Sequence, residues 1–445
     1  MTVDAVAGTP ATPIENEDLG ARPTENLPLR QLFQLSMYWL GINAIWGGVG
    51  VFTQERIPDL VPAGQGGSYL ALTGWLILPI VLAVQPTVGM ISDYTISRWG
   101  RRKPYIAIGA TLDVIFLIGL ATSQTYLSVL AFLGLLQFSS NFAQGPFQGY
   151  VPDLVPASQV GLASALIGAM QTIGFVIGNG IVAYAAAIGD YTIPLIVIGL
   201  VELATAIGTI VWVREGTAAK PRNGRSWVSI ARSAWGLDIL RERSFVFLVL
   251  SRLMFIAGIN VLLGFYVLFV TRVFGFDDNQ KALWITVIGA VVAVFTAIAT
   301  IPSGIISNRV GRKPLIYLAA AVGSIGMVVA GLAPSPEILL VGATLIGIGS
   351  GTFLAVDWAL MTDIIPKASS GRFMGISNLA VGLAGPVAAL VAGPIIDIVG
   401  GTAETGDGPR AAFLAGIVFF IAAAVFLRPV DPRPRELRPA RPLAT

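Results

Sequence analysis

Four side-chain amides, Gln137, Asn141, Gln144 and Gln148, recur at spacings of 4, 3 and 4 residues. On a helix that interval stacks them on one face. Each amide offers both a donor and an acceptor, which is what a hydroxylated solute needs. An amide stripe turned toward hydrocarbon would leave those groups unpaired, so it must face protein or water. Bonds that merely glue helices together are the alternative use for it. Two opposite charges, Arg252 and Asp357, each interrupt an apolar run. On insertion scales a charge at such a place costs about 2.5–3.5 kcal/mol, and it marks a pathway or a partner. At 1.5 Å per residue both fall roughly 12–14 Å inside the same end of their helices. Equal depth suggests an ion pair that a proton arriving on Asp357 would release. A static bridge is the other reading.

The elements that position these residues follow from composition. Of 445 residues 55% are hydrophobic and only 12% charged, against about 25% charged in soluble domains. Mean hydropathy is +0.77. Runs of about 20 apolar residues cross a bilayer as helices, and the sequence predicts twelve: 31–54, 67–92, 104–122, 125–152, 159–187, 192–213, 245–271, 281–307, 313–333, 337–362, 371–399 and 411–428. The fold class expected is an all-α integral membrane protein of two pseudo-symmetric six-helix bundles, 31–213 and 245–428. Residues 1–30 and 429–445 read as tails. Segment 214–244 reads as a linker carrying an amphipathic helix, marked by Trp227, Ile230 and Trp235, that rests on the membrane surface. Cysteine and histidine are absent, which excludes disulfides, thiolate chemistry, histidine proton relays and most zinc sites.

One charged pattern occurs twice. The first copy runs Gly89-Met-Ile-Ser-Asp93-Tyr-Thr-Ile-Ser-Arg98-Trp-Gly100-Arg101-Arg102-Lys103-Pro104, the second Gly304-Ile-Ile-Ser-Asn308-Arg309-Val-Gly311-Arg312-Lys313-Pro314. A second repeat matches Asp153 to Asp363 at an offset of 210 residues. With both termini cytoplasmic, only Arg56, Arg272, Lys281 and Arg410 lie outside and Arg252 lies within a span, so the positive-inside rule fixes the orientation. Topology accounts for the arginines but not for Asp93, Asp153 and Asp363. Asp93, Arg98, Arg101, Arg102 and Asp153 in one half, with Asn308, Arg309, Arg312 and Asp363 in the other, are therefore expected to gate the cytoplasmic side.

These residues resemble the major facilitator superfamily over essentially all of 30–428. The longer first turn, Ser-Asp-x-x-x-Ser-Arg-x-Gly-Arg-Arg-x-Pro, resembles the proton-coupled sugar symporters related to plant sucrose transporters, the glycoside-pentoside-hexuronide:cation branch. Thr53-Gln54-Glu-Arg-Ile57-Pro58 resembles that group's first-helix ending, and Asn141-Phe-Ala-Gln144-Gly145-Pro146-Phe-Gln148-Gly-Tyr-Val-Pro-Asp153 its fourth helix. The resemblance implies a monomeric secondary transporter in the cell membrane that works by alternating access on a small polar solute such as a sugar. The departures are specific: sucrose transporters carry Asp at the position of Gln137, where it is implicated in proton coupling, and Arg at that of Gln148. Both are neutral here, which weighs against sucrose itself and against the usual proton site.

Trp46 and Trp358, on helices that line the cavity in that superfamily, add sugar-stacking candidates, and Gln54 and Asn260 add polar ones; Asn179 and Asn378 are weaker. Asp113 and Glu202 lie inside the third and sixth helices, which are peripheral in the superfamily. Each is expected to be protonated or bonded to a neighbour, because Arg214 is roughly 18 Å from Glu202 along its helix. No phosphate-binding loop, serine elbow or zinc motif appears, so the expectation is no enzyme activity, no cofactor and no nucleic-acid partner. The driving ion is a proton, with sodium left open. Two other readings stand: a proton-driven exporter of amphipathic molecules, whose pocket would be broadly apolar, and a non-transporting membrane sensor.

Overall fold

A computed structural model describes residues 25–95, 97–156, 159–215, 224–233, 242–364, 370–401 and 405–432. Among these residues twelve helices are long and apolar enough to cross a membrane, and no strand occurs. Spans one to six are Leu29–Asp59 (helices Leu29–Ser36 and Tyr38–Asp59, broken at Met37), Gly66–Ser92, Lys103–Ala121, Tyr126–Gln148, Val160–Ile188 and Thr192–Trp212. Spans seven to twelve are Arg243–Phe274, Asp278–Val310, Arg312–Gly331, Pro336–Ile364, Ser370–Gly400 and Asp407–Leu427.

Most helices overrun the apolar stretch that announced them. Span one begins at Leu29, inside the expected tail, because Gln159 clamps Leu27: the Leu27 amide donates to Oε1 at 2.7 Å and Nε2 donates to the Leu27 carbonyl at 2.9 Å. The fourth span does not reach 152. It stops at Gln148, and a five-residue helix, Tyr150–Leu154, carries Asp153 separately. Pro152 has no N–H to give the Gln148 carbonyl, so the rung that would continue the helix is missing.

Within the first half, span one packs on five and six, three on four and six, and two on four; in the second, seven packs on eleven and twelve, eight on ten, and nine on ten and twelve. The halves meet where two faces eleven and five faces eight, with one touching seven at the centre. Small residues permit the tightest crossings. A Cβ on Gly178 would strike the Ala44 backbone. In the second half Phe255 stacks on Phe353 at 3.8 Å between ring centres, with Phe420 edge-on at 5.0 Å.

The linker contains the helix Trp227–Ser233, but it is not simply laid on lipid. Ile230 is fully buried and the helix packs against span two, while Trp227 and Val228 are exposed. Arg225 fastens the same end by donating to the Tyr94 hydroxyl. One apolar side chain therefore serves the protein rather than the membrane. Trp235 lies outside the described residues.

Candidate functional site

A cavity of about 490 Å³ lies between the halves, walled by spans one, two, four, five, seven and eleven. Its polar groups are few: Gln137, Asn260, Gln54, Thr53, Thr73 and the Tyr266 hydroxyl, beside Trp46 and Phe175. Of the expected solute contacts, Trp46, Gln54, Gln137 and Asn260 line it; Asn141, Gln144, Gln148 and Trp358 do not. The amide stripe is thus divided. Asn141 is buried and spends its Nδ2 on the Gln137 carbonyl at 2.7 Å, and Gln144 donates to the Ser140 hydroxyl at 3.1 Å. Gln148, half-buried, ends the helix. Among the described residues no hydrogen bond engages the Gln137 side chain, so its donor and acceptor are both free toward the cavity. Asn260 gives its Nδ2 to the Ile256 carbonyl at 2.9 Å and keeps its oxygen.

Gln54 is committed differently. Its Nε2 donates to the Leu263 carbonyl at 3.1 Å, and its Oε1 accepts from the Val267 amide at 3.1 Å. Those backbone groups are the two ends of one helical rung in span seven, so a side chain of the first half clips onto a main-chain turn of the second. Gly264 sits in that turn and puts no side chain in the way. Three further contacts join the halves at or above this level, on the side away from the basic turns. Asp397 accepts from the Gly67 and Ser68 amides at 2.9 and 2.6 Å, capping the start of span two with a carboxylate from span eleven. Such charge-assisted bonds at a helix N-terminus are the stronger kind. Lys281 reaches Glu55 at 3.0 Å, and Asn179 donates to Tyr266. A Cβ on Gly393 or Gly67 would collide with the other's backbone, which is why both positions are bare. Toward the basic turns, no hydrogen bond or ion pair among the described residues joins the halves. The cavity is therefore closed on the side away from the basic turns.

Arg252 and Asp357 are brought together: Arg252 Nε lies 2.7 Å from Asp357 Oδ2, and both side chains are buried. Arg252 also donates to the Ser377 hydroxyl, and its guanidinium lies 5.4 Å from the centre of the Trp358 ring. Trp358 is half exposed, so it shields the pair without lining the cavity. Asp357 Oδ1 receives no hydrogen bond. The pair joins spans seven and ten, with Ser377 on span eleven, about 12 Å along span seven from Asn260 toward the basic turns. Removing one partner of such a buried pair costs about 3–5 kcal/mol, whereas neutralising the carboxyl in place frees the guanidinium to re-pair.

The first basic turn folds as a charge network, and its contacts among the described residues lie in its own half. Arg102 reaches Asp93 at 3.0 Å and Asp153 at 2.7 Å, and donates to the Pro146 carbonyl at 2.8 Å; Arg101 also bonds Asp153. Glu215, which sequence reasoning passed over, accepts from the Arg102 and Lys103 amides at 3.2 and 3.1 Å and so caps span three. Burial pushes the Tyr150 hydroxyl well above its ordinary range and the Glu215 carboxylate adds to this, so Tyr150 stays a neutral donor. Arg98 is outside the network and only faces Trp99 at 5.9 Å. In the second half Arg312 donates to Ser307 and Arg309 is exposed. The side chains of Asn308, Asp363 and Asn378 lie outside the described residues.

A pseudo-symmetric pair of six-helix bundles, closed on one side over a central cavity, defines a membrane transporter of small solutes. The profile of the Major Facilitator Superfamily matches residues 32–295 and 248–444, and the chain belongs to that superfamily. It is 23% identical over 380 residues to an uncharacterized MFS-type transporter of Methanocaldococcus jannaschii, covering 83% of this chain and 88% of that one. It is 32% identical over 158 residues to the sucrose transport protein SUT1 of Oryza sativa subsp. japonica, 30% of this chain and 29% of that one. The fold matches the crystal structure of a D-xylose-proton symporter with a TM-score of 0.65 at 18% identity, covering 91% and 97% of the two chains.

Proposed function

We propose that this chain is a monomeric, proton-coupled symporter of a sugar or glycoside, working by alternating access in a cell membrane with both termini cytoplasmic. The observation that carries the reading is the central cavity. It is of a size for one small solute, with the unengaged Gln137 amide and the Asn260 oxygen aimed at a ring that Trp46 can flank. The partial likeness to a sucrose transport protein supports the same solute class. Asp357 is the proton acceptor in this reading. Protonation cancels the charge holding Arg252, which then keeps only Ser377 and Trp358, and spans seven, ten and eleven loosen. No cofactor enters; the ion gradient supplies the energy, sodium being the alternative ion.

The apolar majority of the lining (Phe175, Leu263 and Phe265 among it) supports a second reading, export of amphipathic molecules. Reconstituted vesicles with an imposed pH gradient separate the two. Accumulation of radiolabelled sugars that collapses with a protonophore supports symport. Dye extrusion without sugar uptake supports export, and counterflow that responds to sodium alone transfers the coupling to that ion.

A further inference from the structure

Two carboxyl groups are buried together in the first half and take no part in the cavity or in the ion pairs. Asp113 lies ten residues into span three, and Glu202 the same distance into span six, both fully buried near the middle of the membrane. Ser139 of span four donates its hydroxyl to Asp113 Oδ1, and Tyr38 of span one donates to Glu202 Oε1 at 2.9 Å. The remaining oxygens, Asp113 Oδ2 and Glu202 Oε2, are buried and receive no hydrogen bond. The two carboxyl groups belong to packed faces of spans three and six: a Cβ on Gly199, one turn before Glu202, would meet Val114, the neighbour of Asp113. Tyr38 is the one other titratable group against them, and among the described residues neither carboxyl has a lysine or arginine partner.

Two ionised carboxylates cannot share such a place, because each would be desolvated and each would repel the other. One proton between the facing oxygens turns that repulsion into a charge-assisted hydrogen bond. We infer that Asp113 and Glu202 form a proton-binding site, separate from Asp357, that holds a single shared proton between Oδ2 and Oε2. The pair carries one negative charge, which the Tyr38 and Ser139 hydroxyls stabilise from either side. Every packed helix of this cluster contributes one of these four groups, so the proton ties spans one, three, four and six together. Span one carries the tie onward: Trp46 and Gly47 of the cavity wall follow two turns after Tyr38. Bare space is not left around the site either, since a Cβ on Gly41 would meet Glu202 and Thr205.

Infrared spectroscopy of the full-length protein in lipid tests the site. The spectrum of the wild type minus that of the Asp113→Asn/Glu202→Gln double variant, at neutral pH, should contain one carboxylic-acid carbonyl band and one carboxylate band. Two carboxylate bands with no acid band overturn the proposal, and so do two acid bands. Should the double variant fail to fold, the Asp357→Asn protein with both carboxyls intact decides. An acid carbonyl that shifts only slowly after transfer to heavy water supports a sealed shared proton. A spectrum without one, or one that shifts at once, overturns it.

Discussion

Replacing Gln54 by leucine should open the outer side of the cavity. The substitution keeps bulk but removes both inter-half bonds, Nε2 to the Leu263 carbonyl and the Val267 amide to Oε1. Bonds of this kind between membrane helices are worth about 0.6 kcal/mol each where the freed groups find other partners. They cost about 1–3 kcal/mol each where a buried donor or acceptor is left unpaired. Leu263 O and Val267 N can close their own rung, so the lower part of that range applies. A loss of about 1–3 kcal/mol from the closed state alone shifts the equilibrium roughly 5–150-fold toward outer opening. The chain has no native cysteine, so one thiol can be placed without interference. Gly50 lines the cavity, and a Cβ there meets nothing within 4 Å. With Gly50→Cys as the sole thiol, the rate of labelling by a membrane-impermeant maleimide from the outer side should rise by that factor in the Gln54→Leu background. An unchanged rate in a protein that still folds would refute the assignment of Gln54 as a latch.

Asp397→Asn should act in the same direction and by a similar amount, because an amide has one accepting oxygen where the carboxylate uses one for Gly67 and one for Ser68, and it lacks the charge; the same thiol reports it. Gly393→Val should block closure altogether, leaving the outer side permanently reactive and solute exchange dead, since its side chain meets the Gly67 backbone. Asp357→Asn should abolish accumulation driven by a pH gradient while sparing exchange of solute across equal concentrations. Full accumulation in that variant removes Asp357 from the coupling. Gln137→Leu should weaken solute binding roughly 5- to 10-fold, read by thermal shift against a panel of sugars, as one hydrogen bond to an uncharged partner is worth about 1 kcal/mol.

Sequence pattern located the parts that periodicity and charge can announce. Twelve apolar runs became twelve spans, and their errors fall at the ends, where charged residues such as Arg243 and Asp278 prolong a helix past its apolar stretch. Arg252 and Asp357 could be set side by side because two interruptions of equal depth are visible without coordinates. The amide face was only half readable. Gln137 and Asn141 are one turn apart on the same face, yet Asn141 bonds back to its own helix. Periodicity says which face a residue shares and nothing about whether its hydrogen bonds are already spent. Gln54 was legible as polar and as the end of the first span, but its partners are main-chain atoms of Leu263 and Val267, which have no side-chain identity to betray them. Asp397 was passed over, and Glu202 was seen without its partners, for the converse reason: each stands alone in its own helix, and its partner lies on a helix whose rotation no single sequence specifies.

The distribution of contacts also constrains how strong any one of them can be. Outer closure rests on Gln54, Asp397, the Lys281–Glu55 pair and Asn179–Tyr266, while the Arg102 network stays within one half. Two neutral contacts at about 0.5–1.5 kcal/mol each and two charged ones at about 1.5–3 kcal/mol each give a latch of several kcal/mol. That is the right scale for a transporter, because reversing a 1:99 population takes about 5.5 kcal/mol of differential binding. A solute and a proton can supply that much between them. The Arg102 contacts hold one bundle rigid, and a mixture of neutral and charge-assisted contacts is placed where the bundles must part.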